Sequence, residues 1–281
     1  MGYQPDNLIS RHKRSRPVAD RSFFTPVPAG DIIREKEMPM RYRETVKPRL
    51  SDIDVSGNIS YEAILKLFED TGTHHSDSAN DRIISREAGD LAWILIEWHV
   101  ELKRRISKRE MLNIETWISG RIPSMYFFRN FIMTDSSGKE VARAQTKLVL
   151  VDISTMKILK LTEGLFRSFD PEEPSAFETL VKIREKESYE NTVPLTVRTD
   201  DLDFNSHVHN TRYLSLVLNA LPVSQYEELD ISSFRYVCKT ALDGRRSAEV
   251  GYTLSHNELN AIIRDEDNRY MILEAELRNK E

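Results

Sequence analysis

Cysteine is almost absent. The single thiol, Cys238, excludes an internal disulfide framework and fits a reducing compartment. Long apolar runs are missing too. A membrane-crossing helix needs roughly 20 apolar residues, and the longest candidate, near Leu91–Ile96, falls far short. The N-terminal residues carry no apolar signal-peptide core, and Asp6 stands where an N-myristoylation signal wants Ser or Thr. No basic excess exists: 40 Lys and Arg against 45 Asp and Glu leave a net charge of −5, which argues against nucleic-acid binding. These absences lead us to expect a soluble cytoplasmic protein that contacts neither nucleic acid nor membrane. What remains is ordinary globular composition. At 281 residues, 40% hydrophobic and 30% charged, the chain has material for one large or two ordinary domains.

Residues 1–37 stand apart. They carry Arg11, Lys13, Arg14, Arg16 and Arg21 among four prolines, without apolar periodicity, and read as a flexible arm. A first globular half is expected over 38–165, a charged, Pro-bearing linker over 166–190, and a second half over 191–281. In the first half, Tyr61, Ile64, Leu65 and Phe68 share one helical face, with Gly72 as the expected stop. The stretch 73–90 reads as irregular, and His74-His75 within it as a surface or helix-end pair. Strands follow: Trp93–Ile96 running into Trp98, Val100 and Leu102; then Leu112, Ile114 and Thr116. Tyr126–Met133 is joined through Asp135-Ser136-Ser137-Gly138 to Val141–Val151, a hairpin pattern. In the second half, Val193, Leu195 and Val197 lead to a helix with Tyr213, Leu214, Val217 and Leu221 on one face. Strands are expected at Ile231–Lys239, Ala248–Leu254, Ala261–Arg264 and Tyr270–Leu277.

The two halves repeat one plan. Asp52-Ile53-Asp54 matches Asp201-Leu202-Asp203 at an offset of 149, and Trp98–Ser119 overlays Phe234–Ser255 at an offset of 136. The final hairpins correspond through Asp135 and Asp265. Each half would wrap an antiparallel sheet round one apolar helix, an α+β design, with the halves side by side. They differ in chemistry. Ser56 stands opposite Asn205, and Asn58 opposite His207, so only the second half keeps an imidazole.

That difference points to the densest polar stretch in the chain, Asp201–Asn210. Asp203, Asn205 and His207 recur at every second position. In an extended segment such side chains would point the same way. They precede an apolar helix whose first N–H groups suit a developing negative charge. A carboxylate, an amide and an imidazole there suit hydrolysis. The same residue types also cap turns, so a purely structural role stays open. His207 and His209 have strand spacing for a metal, but no third or fourth ligand is in view.

From about residue 38 onward the chain resembles the acyl-acyl-carrier-protein thioesterases of plant and bacterial type. The resemblance rests on DLDFNSHVHNTRY in the second half, and in the first on Ser51-Asp52-Ile53-Asp54, Glu115-Thr116-Trp117, Arg129-Asn130-Phe131 and Asp152. It implies a tandem, or double, hot-dog fold: two antiparallel sheets, each wrapped round a central helix. It implies hydrolysis of the thioester between a fatty acyl chain and the phosphopantetheine arm of acyl carrier protein, with no cofactor or metal of the enzyme's own. Asp203, Asn205 and His207 match the family's catalytic triplet, with His207 as general base toward water, Asn205 holding water or thioester, and Asp203 orienting the helix entry or the amide. The first half would hold the acyl chain. One departure stands out. The family places a Glu after the second-half helix, where this chain has Val237 or Lys239.

Alternatives are an acyl-CoA thioesterase or a dehydratase on the same fold, or an acyl or pantetheine binder without catalysis. An acidic carrier protein needs a basic surface, for which Lys103, Arg104, Arg105, Lys108 and Arg109 are candidates. Monomer and homodimer are both compatible with a tandem unit.

Overall fold

Alternating β-branched and aromatic residues pack well on a pleated surface and favour strands. A computed structural model of the chain describes residues 41–83, 89–120, 124–163, 169–177, 182–244 and 247–278. The arm expected over 1–37 lies outside these residues, as does part of the linker expected over 166–190. Among the described residues eleven strands form one antiparallel sheet. The first half supplies β1 (Tyr42–Val46), β2 (Leu91–Leu102), β3 (Leu112–Ser119), β4 (Phe127–Asp135), β5 (Glu140–Asp152) and β6 (Lys157–Leu159). The second supplies β7 (Asn191–Leu195), β8 (Ile231–Cys238), β9 (Ala248–Leu254), β10 (Glu258–Arg264) and β11 (Arg269–Leu277). Helices are α1 (Tyr61–Ser78), α2 (Arg212–Leu218) and α3 (Val223–Glu228).

The strand order is β1-β3-β4-β5-β2-β8-β11-β10-β9-β7, with β6 on β5. The α+β class holds. The two expected sheets meet edge to edge through β2 and β8 and become one. Trp98 pairs with Tyr236 and Val100 with Phe234, around a central His99–Arg235 pair. The offset of 136 makes Phe234 the counterpart of Trp98 and Tyr236 the counterpart of Val100, so the ladder maps onto itself by an approximate two-fold. Trp98, Phe234 and Tyr236 are among the most fully buried side chains, and α1 and α2 contribute to the same core.

Helix α1 starts where Ser60 caps it, its side chain accepting from Ala63 N at 3.1 Å. It does not stop at Gly72. The buried face runs Tyr61, Ile64, Leu65, Phe68, Thr71, Gly72 and His75, an unbroken helical period. Gly72 is a packing residue instead: a Cβ there would lie 3.0 Å from Arg129 Cδ. The expected irregular stretch is therefore helical as far as Ser78. The two histidines also part company. His74 is exposed and its Nδ1 lies 2.9 Å from Glu44. His75 is buried, with Nδ1 2.9 Å from the buried Arg129, which also donates to Ser76 Oγ at 2.8 Å.

Burial and the Arg129 charge push the His75 pKa down to about 3. Below the ordinary histidine range the unfolded chain takes up a proton that the folded chain refuses, so stability falls as pH drops from about 6.5 toward 3, at up to about 1.4 kcal/mol per pH unit. Replacing His75 with Gln is expected to flatten this slope in urea melts taken at stepped pH. An unchanged slope would assign the acid lability to other groups.

Candidate active site

The segment carrying Asp203, Asn205 and His207 is a tight loop, not an extended strand. Leu202 bridges to Val208 in antiparallel fashion, and the five residues between them turn. Asp203 N donates to His207 O at 2.7 Å and Ser206 N to Asp203 O at 2.9 Å. Ser206 takes a left-handed backbone, φ 64°. The Asp203 carboxylate is the loop's knot: Oδ1 accepts from Asn205 N at 2.7 Å and from His207 N at 3.1 Å. Asn205 Nδ2 approaches Oδ2 at 3.4 Å. Turn geometry, rather than strand alternation, thus gathers the three residues. Asp203 is half-buried, whereas Asn205 and His207 are exposed. No hydrogen bond to the His207 ring is found among the described residues.

The first half builds the same loop bond for bond. Ile53 bridges Ile59, Asp54 N donates to Asn58 O at 2.9 Å, and Gly57 takes the left-handed place of Ser206 with φ 79°. Asp54 Oδ1 accepts from Ser56 N at 2.9 Å and Asn58 N at 3.3 Å. Val208 N donates to Leu242 O as Ile59 N does to Ile106 O, each at 2.8 Å. The difference lies in what covers the carboxylate. In the first half Arg105 pairs with Asp54, stacks over Tyr61 at 4.2 Å, and shares Asp54 Oδ2 with the Tyr226 hydroxyl at 3.1 Å. Burial alone would raise the Asp54 pKa, but the Ser56 hydrogen bond and the Arg105 charge outweigh it and hold the carboxyl below its usual range. The counterpart of Arg105 is Ala241, so no cation covers Asp203 from that position.

Around the open loop, the expected backbone donors are mostly in use. Val208 N bonds Leu242 O, and His209 N bonds Asp201 O at 2.9 Å. Only the Asn210 amide donates no hydrogen bond among the described residues. The Asn210 carbonyl accepts from Tyr236 Oη at 2.8 Å, which ties the loop's exit to β8. His209 faces the other half: its Nε2 lies 3.6 Å from Glu69 Oε2 on α1. Burial is the main cause that raises the Glu69 pKa. Neither contact was visible in the sequence, because Glu69 lies beside, not on, the apolar stripe of α1. The strand spacing of His207 and His209 was the only hint at the second histidine.

Relatives give this geometry a context. Residues 39–169 match the acyl-ACP thioesterase N-terminal domain, and residues 184–245 match the acyl-ACP thioesterase C-terminal domain. The chain belongs to the acyl-ACP thioesterase family. It is 24% identical over 220 residues to oleoyl-acyl carrier protein thioesterase 1 of Arabidopsis thaliana, covering 70% of this chain and 60% of that one. Against the oleoyl-acyl carrier protein thioesterase of Coriandrum sativum it is 25% identical over 239 residues, 78% and 62% of the two chains. It thus spans about three fifths of the length of these relatives. Among solved structures, the 12:0-ACP thioesterase from Umbellularia californica superposes with a TM-score of 0.76 at 20% identity, over 86% of this chain and 98% of that one. An acyl-ACP thioesterase from Bacteroides thetaiotaomicron gives 0.73 at 18%, over 85% and 98%. These likenesses bear on the fold, and with the continuous sheet they place the chain in the hot-dog class.

In this family setting β8 lacks an acid at the expected place. Val237 packs toward Ile183, Ile262 and Ile272. Cys238 is half-buried, and desolvation of its thiol pushes the pKa up to about 12, unsuited to nucleophilic chemistry at neutral pH. The basic run is also largely neutralised. Lys103 pairs with Glu101, Arg104 with Glu110 and Asp135, and Arg105 with Asp54, which leaves Lys108 and Arg109 as its outward charges. A recess of about 550 Å³ over β1, β3 and β4, lined by Arg43, Thr45, Asn113 and Ile132 among others, includes no residue of the Asp203 loop.

Because Asp203 Oδ1 holds two backbone amides, Asp203→Ala is expected to cost about 1–2 kcal/mol of stability. Asp203→Asn, which keeps that oxygen, should cost clearly less. Chemical denaturation of the two variants checks this. Equal losses would mean that the carboxylate charge, not the acceptor geometry, holds the loop.

Proposed function

We propose that the chain hydrolyses the thioester of fatty acyl-acyl carrier protein, releasing free fatty acid and the carrier's thiol, with His207 as general base. One observation carries this reading. The duplicated loops share their backbone bonds, yet only the second presents an imidazole, and among the described residues only the second is left uncovered by an arginine. In the reaction, the His207 ring takes a proton from water as the water oxygen attacks the thioester carbonyl. The carbon–sulfur bond breaks, and the departing thiolate recovers the proton from the imidazolium. Asn205, exposed beside His207 and anchored through its backbone to Asp203, holds the water or the thioester group. The unpaired Asn210 amide supplies a donor to the carbonyl oxygen. Asp203 acts through the loop, fixing where Asn205 and His207 stand. The first half, whose loop is closed by Arg105, holds the acyl chain.

A non-catalytic binder is the second reading, and Val237 in place of an acid favours it. Turnover separates the two. The purified chain, given acyl-ACPs and acyl-CoAs of graded length, is expected to hydrolyse the carrier-protein esters in preference. His207→Ala should lower kcat by at least about 10²-fold while the melting temperature holds. Binding without turnover in the unaltered chain would support the binder, and full activity in His207→Ala would remove His207 from the mechanism.

A further inference from the structure

The second half lacks an acid on β8, but the first half brings one to the same loop. Glu69 leaves α1 and meets His209, two residues beyond His207, with Nε2 and Oε2 3.6 Å apart. The other ring nitrogen is already committed: Nδ1 lies 3.1 Å from Thr211 Oγ1 and accepts from Thr211 N at 3.5 Å. An accepting Nδ1 leaves the proton on Nε2, directed at the carboxylate. Other charges nearby are accounted for. Lys66 pairs with Glu62, Arg212 pairs with Glu62 and Asp201, Asp70 is exposed on α1, and the Tyr236 hydroxyl donates to Asn210 O. Among the described residues His209 is thus the cation-capable partner in closest reach of Glu69, with Lys66 a lesser influence. Both side chains keep about a third of their surface open to solvent, 31% for Glu69 and 38% for His209.

We propose that Glu69 is a positioning residue of the hydrolytic site, supplied by the first half and acting through His209. The inference rests on the hydrolase reading above. Glu69 holds one tautomer of His209, two residues beyond His207, and balances charge if the ring takes up a proton while water attacks. Each half then contributes to one site, and the acid absent from β8 is replaced from α1.

The test uses the full chain and four variants: Glu69→Gln, Glu69→Asp, His209→Asn and the Glu69→Gln/His209→Asn double. Glu69→Gln is expected to lower kcat roughly 10²-fold with KM within about twofold and an unchanged melting temperature. Glu69→Asp should recover part of the rate. The double variant should be no slower than the slower single variant, because the two groups act as one unit. Glu69 ionises above the ordinary carboxylate range, so the acidic limb of the wild-type pH–rate profile should become shallower in Glu69→Gln, where the general base alone is left to take up a proton. A carboxyl NMR titration reads the pair without turnover: His209→Asn should move the Glu69 midpoint upward. Wild-type rates in Glu69→Gln, or losses that multiply in the double variant, would overturn the proposal. So would a Glu69 midpoint indifferent to His209→Asn. An unaltered chain that hydrolyses no thioester would instead overturn the hydrolase reading, and the titration would still decide the pair.

Discussion

The β2–β8 ladder is the constraint on which the molecule depends. Two open sheets, each with an exposed edge, become one by pairing their edges, which satisfies backbone groups that would otherwise face water. The pairing also buries Trp98, Phe234 and Tyr236 together. At its centre, His99 faces Arg235, and burial together with that positive charge pushes the imidazole down to about 4, so it stays neutral. Arg235 in turn pairs with the buried Glu97. Once the edges are joined, the helices must lie next to each other. Arg212 of α2 reaches Glu62 of α1 at 2.9 Å, and Ser215 donates to the same carboxylate at 2.6 Å. Tyr61 crosses the boundary as well, accepting from Ile231 N at 2.9 Å. A contact between Glu69 and a loop of the other half is a direct consequence of this arrangement.

Most of the fold was legible because strand and helix periods survive in the sequence. The hairpin through Asp135–Gly138 was readable from its turn residues, and the repeat from paired Asp motifs that turned out to be paired hydrogen-bond knots. What failed was local reading of residues with two uses. Gly72 looked like a helix stop because glycine often ends helices. Its actual role, making room for Arg129, depends on β4, which lies far away in sequence. The His74-His75 pair looked uniform, yet one side chain faces water and the other lies against Arg129, since adjacent helical positions point in different directions. The candidate site was legible as a set of residues but not as a geometry. Alternation suggested an extended segment, whereas Asp203 accepts local amides and turns the chain, a habit of Asp that competes with strand formation.

The duplicated loop separates structure from chemistry. Asp54 and Asp203 do the same structural work, accepting the amides two and four residues on. Their shared presence therefore says little about catalysis. The informative positions are those at which the copies part: Asn58 against His207, Ser60 against His209, Arg105 against Ala241. In the first copy Ser60 caps α1 and Arg105 closes the carboxylate. In the second, histidines stand at the two matching places and the covering arginine is gone. One copy has kept the bonds of the loop while becoming part of the scaffold, and the other keeps polar groups exposed that a scaffold has no need to expose.

The placement of the acid follows from the faces of β8. Residue 237 points away from the helices, into an apolar cluster with Ile183, Ile262 and Ile272. A carboxylate introduced at this half-buried position would lose part of its hydration without gaining the loop's imidazoles. Residue 238 faces the helices, but the space is dry enough to hold a thiol protonated up to about pH 12. Val237 on β8 therefore does not offer the loop an ionised acid. Helix α1 does, because Glu69 sits at the seam between the halves. There burial raises its pKa only part of the way, with His209 opposing the rise. A carboxylate at that seam stays partly open to solvent, within 3.6 Å of an imidazole and close to the loop that carries His207.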